Sequence, residues 1–164
     1  AGFSMDTLDR AILAQLVQDG RQTQVQLAER IPLSPTAIAR RIKALESGGV
    51  IEGYEARLSR KALELSMTAI IHVSLKSQSE DLLAAFEKAA AAAPSIISCH
   101  LMSGEDDYIL TVLARDLADF ERIHKEELSR LPGVARLRSG FALREVINRQ
   151  LPASCLLPHA PRRK

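Results

Sequence analysis

The run from Thr23 to Tyr54, TQVQLAERIPLSPTAIARRIKALESGGVIEGY, carries two sets of helix-capping signals separated by a proline break, and this pattern constrains the fold more than any other. Thr23 and Gln26 form a T-x-x-Q capping box that opens a helix through Ile31, with Leu27, Ala28 and Ile31 on its apolar side. Pro32 and Leu33 interrupt it. Ser34 then caps a second helix with Pro35 in its first turn, where the missing N–H costs nothing. Ile38, Ile42 and Leu45 recur at helical spacing as a buried stripe, and Gly48-Gly49 ends the element. Val50 and Ile51 are expected to pack against the helices, and Gly53 to Leu58 to form the hairpin of a wing. Upstream, Asp6 caps a first helix that turns Leu8, Ile12, Leu13 and Leu16 inward and closes at Gly20. Three helices and a wing describe a winged helix-turn-helix.

The order of residues along the helix after Ser34 suits nucleic acid. Ser34, Thr36 and Ala37 allow close approach to base edges and phosphates, while Arg40, Arg41 and Lys43 can pair with phosphate or guanine. With Thr23 and Pro35 these residues form the candidate DNA-binding set. An ordinary solvated charged face is the alternative on spacing alone.

The second half reads β-α-β-β-α-β. Thr68 to Leu75 is β-rich, alternating Ala69, Ile71, Val73 and Leu75 with Ile70, His72 and Ser74. Glu80 to Ala93 forms a helix stopped by Pro94, with Phe86 inward. Ile96 to Met102 is a strand, Gly104 to Asp107 an acidic turn, and Tyr108 to Ala114 the next strand. Leu117 to Leu131 is a helix ended by Pro132-Gly133, and Val134 to Val146 a long last strand. The fold class is therefore α+β: an N-terminal winged helix-turn-helix over 5–58, a linker over 59–67, a C-terminal ferredoxin-like βαββαβ sandwich over 68–151, and a flexible basic tail over 152–164. Two helices cover one face of such a sheet, and dimerisation is the economical cover for the other.

Charge follows the same division. The net +2 conceals nine Lys/Arg against seven Asp/Glu up to residue 61, six against twelve from 62 to 135, and seven against one thereafter. A mildly basic head on an acidic body fits DNA binding confined to the head. No apolar run reaches membrane-spanning length, and no charged-then-apolar leader precedes Met5, so the expected location is the cytoplasm, with Ala1 to Ser4 outside the fold. Cys99 and Cys155 lack C-x-x-C spacing and read as reduced thiols. Cys99 and His100 are neighbours on a strand and point to opposite faces, so no metal site is expected. His72 and His124 are isolated, and no cofactor is expected.

At this point a family resemblance appears. LSPTAIARRIKALESGGVIEGY resembles the recognition-helix region of the Lrp/AsnC, or feast/famine, transcriptional regulators, and MDTLDRAILAQLVQDGR resembles the helix before it. CHLMSGEDDYIL, from Cys99 to Leu110, is similar to that family's ligand-region signature, and LSRLPGVARLRSGFALREV, from Leu128 to Val146, to its final helix, turn and strand. The resemblance implies a regulator that binds a pseudo-palindromic duplex as a homodimer, assembles further into a tetramer of dimers, and responds to a small effector, an amino acid. It places the effector at Ser103, Gly104, Glu105, Asp106, Asp107 and Tyr108, across from Ser139, Gly140, Phe141 and Ala142. Backbone N–H groups near Gly104 would receive a carboxylate and the acids an ammonium; on composition alone a merely solvated acidic tip is the alternative.

The chain departs from the family pattern in three places. Pro32 stands where a glycine is usual, so the turn must be built without positive φ. Glu105-Asp106 makes the tip unusually acidic, which admits a basic or otherwise polar amino acid as effector. PASCLLPHAPRRK extends past the resembled region, and Arg162, Arg163 and Lys164 are expected to add phosphate attraction. No triad, metal spacing or phosphate-binding glycine loop suggests an enzyme. The competing class is an amino-acid-sensing oligomer whose degenerate head no longer binds DNA. Asp107→Ala is expected to weaken the effector response while sparing effector-free DNA binding.

Overall fold

The computed structural model describes residues 4–156. They form two compact units: one takes in the chain up to Arg57 and resumes at Ile147, the other runs from Leu58 to Val146.

In the first unit, α1 (Thr7–Gln18) opens with a capping box in which the Asp9 N–H donates to Asp6 Oδ1 at 2.8 Å and the Asp6 N–H to Asp9 Oδ2 at 3.0 Å. The second helix, α2 (Gln24–Ala28), has the expected Thr23–Gln26 box. It stops before Ile31, which was expected to belong to it. The residue preceding a proline is driven out of the helical region, so Pro32 ends the helix upstream of itself. The N–H groups of Arg30 and Ile31 instead share the Leu27 carbonyl at 3.1 and 2.9 Å. No residue of this turn has positive φ, which is how proline is accommodated.

Helix α3 (Pro35–Ser47) follows, capped by Ser34 Oγ. Gly49, at φ +70°, lets the chain reverse so that the N–H groups of Val50 and Ile51 both reach the Leu45 carbonyl. Ile12, Leu13, Leu27, Ile31, Ile38 and Leu45 make the core, with Leu8, Leu16, Ile42, Val50 and Ile51 against it. These are the positions that helical periodicity selects.

Two expectations for this unit differ from the structure. Gly53 to Leu58 forms no hairpin: residues 52–59 carry no strand, and Tyr54 and Leu58 are 54% and 70% exposed. A two-stranded ladder with no face to bury lacks the driving force to form. The Tyr54 hydroxyl donates instead to Glu46 Oε1 at 3.0 Å. The tail expected to be flexible from Pro152 contains a 3-10 turn (Ala153–Leu156), in which Arg10 Nη1 donates to the Cys155 carbonyl at 2.7 Å and Leu156 meets the core. Arg162, Arg163 and Lys164 lie outside the described residues.

In the second unit, a helical turn at residues 60–64 precedes β1 (Met67–Leu75), followed by α4 (Glu80–Ala92), β2 (Ile96–Leu101), β3 (Tyr108–Ala114), α5 (Leu117–Glu126) and β4 (Val134–Phe141). The sheet order is β2-β3-β1-β4, with every pair antiparallel, the topology of a ferredoxin-like sandwich. Ala69, Ile71, Val73 and Leu75, with Tyr108, Leu110, Val112 and Ala114, pack with Phe86, Ala90, Phe120, Ile123, Leu128 and Leu131. Thr68, Ile70, His72, Ser74, Ile109, Thr111 and Leu113 alternate onto the opposite face, which no helix of the unit covers.

The last helix is shorter than the expected Leu117 to Leu131. It ends at Glu126 and gives way to a 3-10 turn (Leu128–Arg130), where the Glu127 carboxylate is held by the Ser95 N–H and hydroxyl at 3.1 and 2.6 Å. Strand β4 stops at Phe141 rather than Val146. Its partner β1 starts at Met67, so past the Ala142 N–H to Thr68 carbonyl bond there is no backbone left to pair with. No helix among the described residues is long and apolar enough to cross a membrane.

Gly133 sets the α5 to β4 turn at φ +71°, and a Cβ there would lie 2.7 Å from Leu82 Cγ. Gly133→Ala is expected to cost about 2 kcal/mol from the left-handed backbone and the displaced leucine. Urea unfolding measures this, and an unchanged midpoint would contradict it.

Candidate functional site

On α3, Ser34, Pro35, Thr36, Arg40 and Lys43 are exposed and Ala37 is half-buried. Capping places the hydroxyl at the front of the helix: Ser34 Oγ accepts from the Ala37 N–H at 3.2 Å, leaving its own O–H available to a phosphate or base. Arg40 and Lys43 make no hydrogen bond or ion pair with the described residues. Ala39, which the sequence reading passed over, is exposed beside Arg40 and adds a methyl group suited to a thymine methyl. Thr23 serves its own helix, accepting from the Gln26 N–H at 3.3 Å and donating to Gln26 Oε1 at 3.2 Å.

Arg41 departs from the expected DNA-binding set. Its Nη1 lies 2.7 Å from both Asp6 Oδ2 and Asp9 Oδ1, joining α3 to the capping box of α1. Among the described residues Asp9 is the one charged residue in the buried set, at 6% exposure, and a buried carboxylate requires a partner. The cation that periodicity left on the surface is thus turned inward by two acids more than thirty residues upstream.

The β2–β3 turn is the second candidate region. The Met102 N–H donates to the Asp107 carbonyl and the Asp107 N–H to the Val73 carbonyl, both at 2.9 Å, so the turn is fastened to the sheet. Its acids are not simply solvated. Asp107 accepts from the Leu75 N–H and from Gln78 Nε2, each at 2.7 Å. Asp106 Oδ2 lies 2.7 Å from His72 Nδ1 and accepts from Arg138 Nη2 at 2.9 Å, with its side chain only 14% exposed. Glu105, by contrast, projects outward with its carboxylate 3.9 Å from Arg136. Gly104 has φ +135° and open space where a Cβ would be.

Tyr108 is not at the site. It is 1% exposed, its ring centroid 4.5 Å from that of Phe86 and its hydroxyl donating to Glu87 Oε1 at 2.7 Å. Burial, then the Glu87 carboxylate, pushes its phenol well above the ordinary value. It is a core residue, on the same face of its strand as Leu110, Val112 and Ala114.

The second expected group is apart from the turn within one chain. Ser139, Gly140 and Phe141 pair with Ile71, Ile70 and Ala69, whereas Asp107 sits beside Ser74. Four residues of strand separate Gly140 from that level, roughly 13 Å at ~3.3 Å per residue. Phe141 stacks edge-on against Phe120 at 5.0 Å, and Ala142 follows the strand. The residues that do meet the turn are His72, Gln78, Arg136 and Arg138. The sequence reading missed them because their meeting depends on strand register. Ser103 lies exposed at the turn's start. No cluster of three or more metal-ligating side chains occurs among the described residues.

Because Asp107 closes two hydrogen bonds to the β1 end, Asp107→Ala is expected to cost about 2 kcal/mol of stability in addition to any effect on effector. A wild-type melting temperature in this variant would show that the bonds contribute nothing.

Comparison with known proteins assigns a family to each half of the chain. A family described as winged helix-turn-helix DNA-binding matches residues 5–52, and one described as the Lrp/AsnC ligand binding domain matches residues 68–152. The Bkd operon transcriptional regulator of Pseudomonas aeruginosa is 40% identical over 148 residues, covering 90% of this chain and 97% of the relative. The leucine-responsive regulatory protein of Escherichia coli is 36% identical over 145 residues, covering 88% of each. Among solved structures, a transcriptional regulator from Neisseria meningitidis in complex with L-methionine superimposes with a TM-score of 0.87 at 34% identity, covering 94% of this chain and 100% of that one.

Proposed function

The chain belongs to the Lrp/AsnC family of transcriptional regulators, and from that premise we propose how its own residues divide the work. The head reads a pseudo-palindromic duplex with the exposed surface of α3: Ser34, Pro35, Thr36 and Ala37 approach the groove, and Arg40 and Lys43 hold phosphate or guanine. The observation that carries this assignment is that these two cations remain uncommitted to the described residues while Arg41 is consumed within the fold. Thr23 supports this surface by fixing the start of α2 through its capping box with Gln26.

The body binds a free α-amino acid at the β2–β3 turn, from Ser103 to Asp107. Ser139, Gly140, Phe141 and Ala142 would complete that pocket from another copy, since one chain does not bring the two groups together. The uncovered sheet face, with Ile70, Ile109 and Leu113 among polar neighbours, is the dimerisation surface, and dimers assemble further into a tetramer of dimers. Two heads on one dimer reach successive half-sites, so modest contacts add through effective concentration. The protein works in the cytoplasm and carries no catalytic activity. With Asp106 and Asp107 already hydrogen-bonded within the body, the turn no longer favours an effector with a basic side chain.

Fluorescence anisotropy tests this reading with duplex from upstream of the protein's own gene, against a scrambled duplex, with and without pooled amino acids. Preference for the upstream duplex that shifts with the pool is the expected result. Equal binding to both duplexes in both conditions would favour a sensor with an inactive head.

A further inference from the structure

We propose that Glu105 and Arg136 form the anchor that selects a zwitterion, the Glu105 carboxylate receiving the α-ammonium and the Arg136 guanidinium the α-carboxylate. The proposal rests on the reading above of the β2–β3 turn as the effector site, and it names which side chains decide that the ligand carries both charges.

The hydrogen bonds around the turn leave this pair. Five charged groups surround the turn besides His72. Asp107 is satisfied by the Leu75 N–H and Gln78. Asp106 is satisfied by His72 and Arg138, which commits Arg138 to the same network. Glu105 and Arg136 remain, 82% and 59% exposed, with 3.9 Å between their nearest charged atoms. That separation is too long for a hydrogen bond, so each retains its full capacity toward a ligand while opposite charge holds the two together. One carboxylate and one guanidinium are the complement of one ammonium and one carboxylate.

Placement supports the pairing. Arg136 is opposite Ser74 in the register and Arg138 opposite His72, so both arginines stand on the sheet face away from the helices, at the end where the turn is fastened. Gly104, immediately before Glu105, leaves open the space that any side chain would fill, allowing a ligand's α-carbon close to the backbone. A guanidinium can grip the carboxylate with two parallel N–H bonds, which an amide cannot accept.

Isothermal titration calorimetry on the full chain tests this with the twenty protein amino acids. The strongest binder is then compared with its α-amide and with its analogue lacking the amino group. Wild type is expected to prefer the amino acid over either analogue by about tenfold or more. Arg136→Gln should weaken the amino acid by a similar factor and bind acid and amide alike, while Arg136→Lys keeps part of the preference. Glu105→Gln should lose discrimination against the analogue lacking the amine. Both side chains are exposed, so unchanged thermal melting is expected for these variants. Wild-type affinity and discrimination in both charge-removing variants would overturn the zwitterion anchor and leave the effector site standing. Failure of every amino acid to bind wild type would overturn the effector reading, and the anchor with it.

Discussion

Replacing Arg40 and Lys43 together with alanine is expected to lower operator affinity about a thousandfold at fixed salt and leave thermal stability unchanged. Both side chains are exposed on α3 and engage no partner among the described residues, so the fold loses nothing when they go. A proposed dimer presents two copies of each, four cations in all. At about 1 kcal/mol per contact the loss is about 4 kcal/mol, or roughly 10³ in affinity. The slope of log affinity against log salt should also fall by about 0.9 per lost phosphate contact. Anisotropy titrations at several salt concentrations measure both quantities. Equal loss on upstream and scrambled duplexes would assign the pair to phosphate, and loss confined to the upstream duplex would assign Arg40 to a base edge. Unchanged affinity and slope would remove α3 from the interface.

The division between what the sequence showed and what it hid follows the range of the interactions. The Thr23–Gln26 capping box, the Asp6 and Ser34 caps, the Gly48-Gly49 stop and the inward set Ile12, Leu13, Leu27, Ile31, Ile38 and Leu45 depend on neighbours within a turn or two, and they stand in the structure as read. The alternation in β1 likewise separated Ala69, Ile71, Val73 and Leu75, which the structure buries, from the opposite face. Boundaries were less legible. Pro32 acts on residues before it, and β4 ends where its partner ends, a fact that belongs to β1 rather than to Val134 to Val146.

Side-chain roles at the candidate sites were least legible, since each depends on a contact across the fold. Arg41 reads as a surface cation until α1 is laid against α3. Asp106 reads as a solvated acid until strand register brings His72 and Arg138 to it from more than thirty residues away on either side. Tyr108, which its place in a family signature assigned to the effector site, lies in the core with Leu110, Val112 and Ala114 because strand alternation turns all four to one face.

Arg41→Ala is expected to destabilise the head by about 2 to 3 kcal/mol, a loss that reduces DNA binding without removing a DNA contact. One guanidinium nitrogen bridges Asp6 and Asp9 at 2.7 Å each, and the Asp9 side chain is only 9% exposed. Truncation leaves that carboxylate buried without its cation. Breaking a fully buried pair costs about 3 to 5 kcal/mol, and a smaller figure applies here because Arg41 is a quarter exposed and Asp6 half exposed. Asp9→Asn in the Arg41→Ala background should recover part of the loss by removing the stranded charge, a coupling that a double-mutant cycle isolates.

Acid should erode the same joint. The Asp9 N–H, then the Arg41 guanidinium, hold the Asp6 carboxyl below the ordinary carboxylate range. A depressed pKa stabilises the folded state in full above the unfolded value, and that contribution disappears as pH falls through the folded value. The head of Arg41→Ala should therefore lose less stability than wild type on acidification through that range. Urea unfolding of both proteins, at neutral pH and at steps down through the carboxylate range, measures the joint directly. A wild-type midpoint in Arg41→Ala would return Arg41 to the surface, and with it to the DNA-binding set.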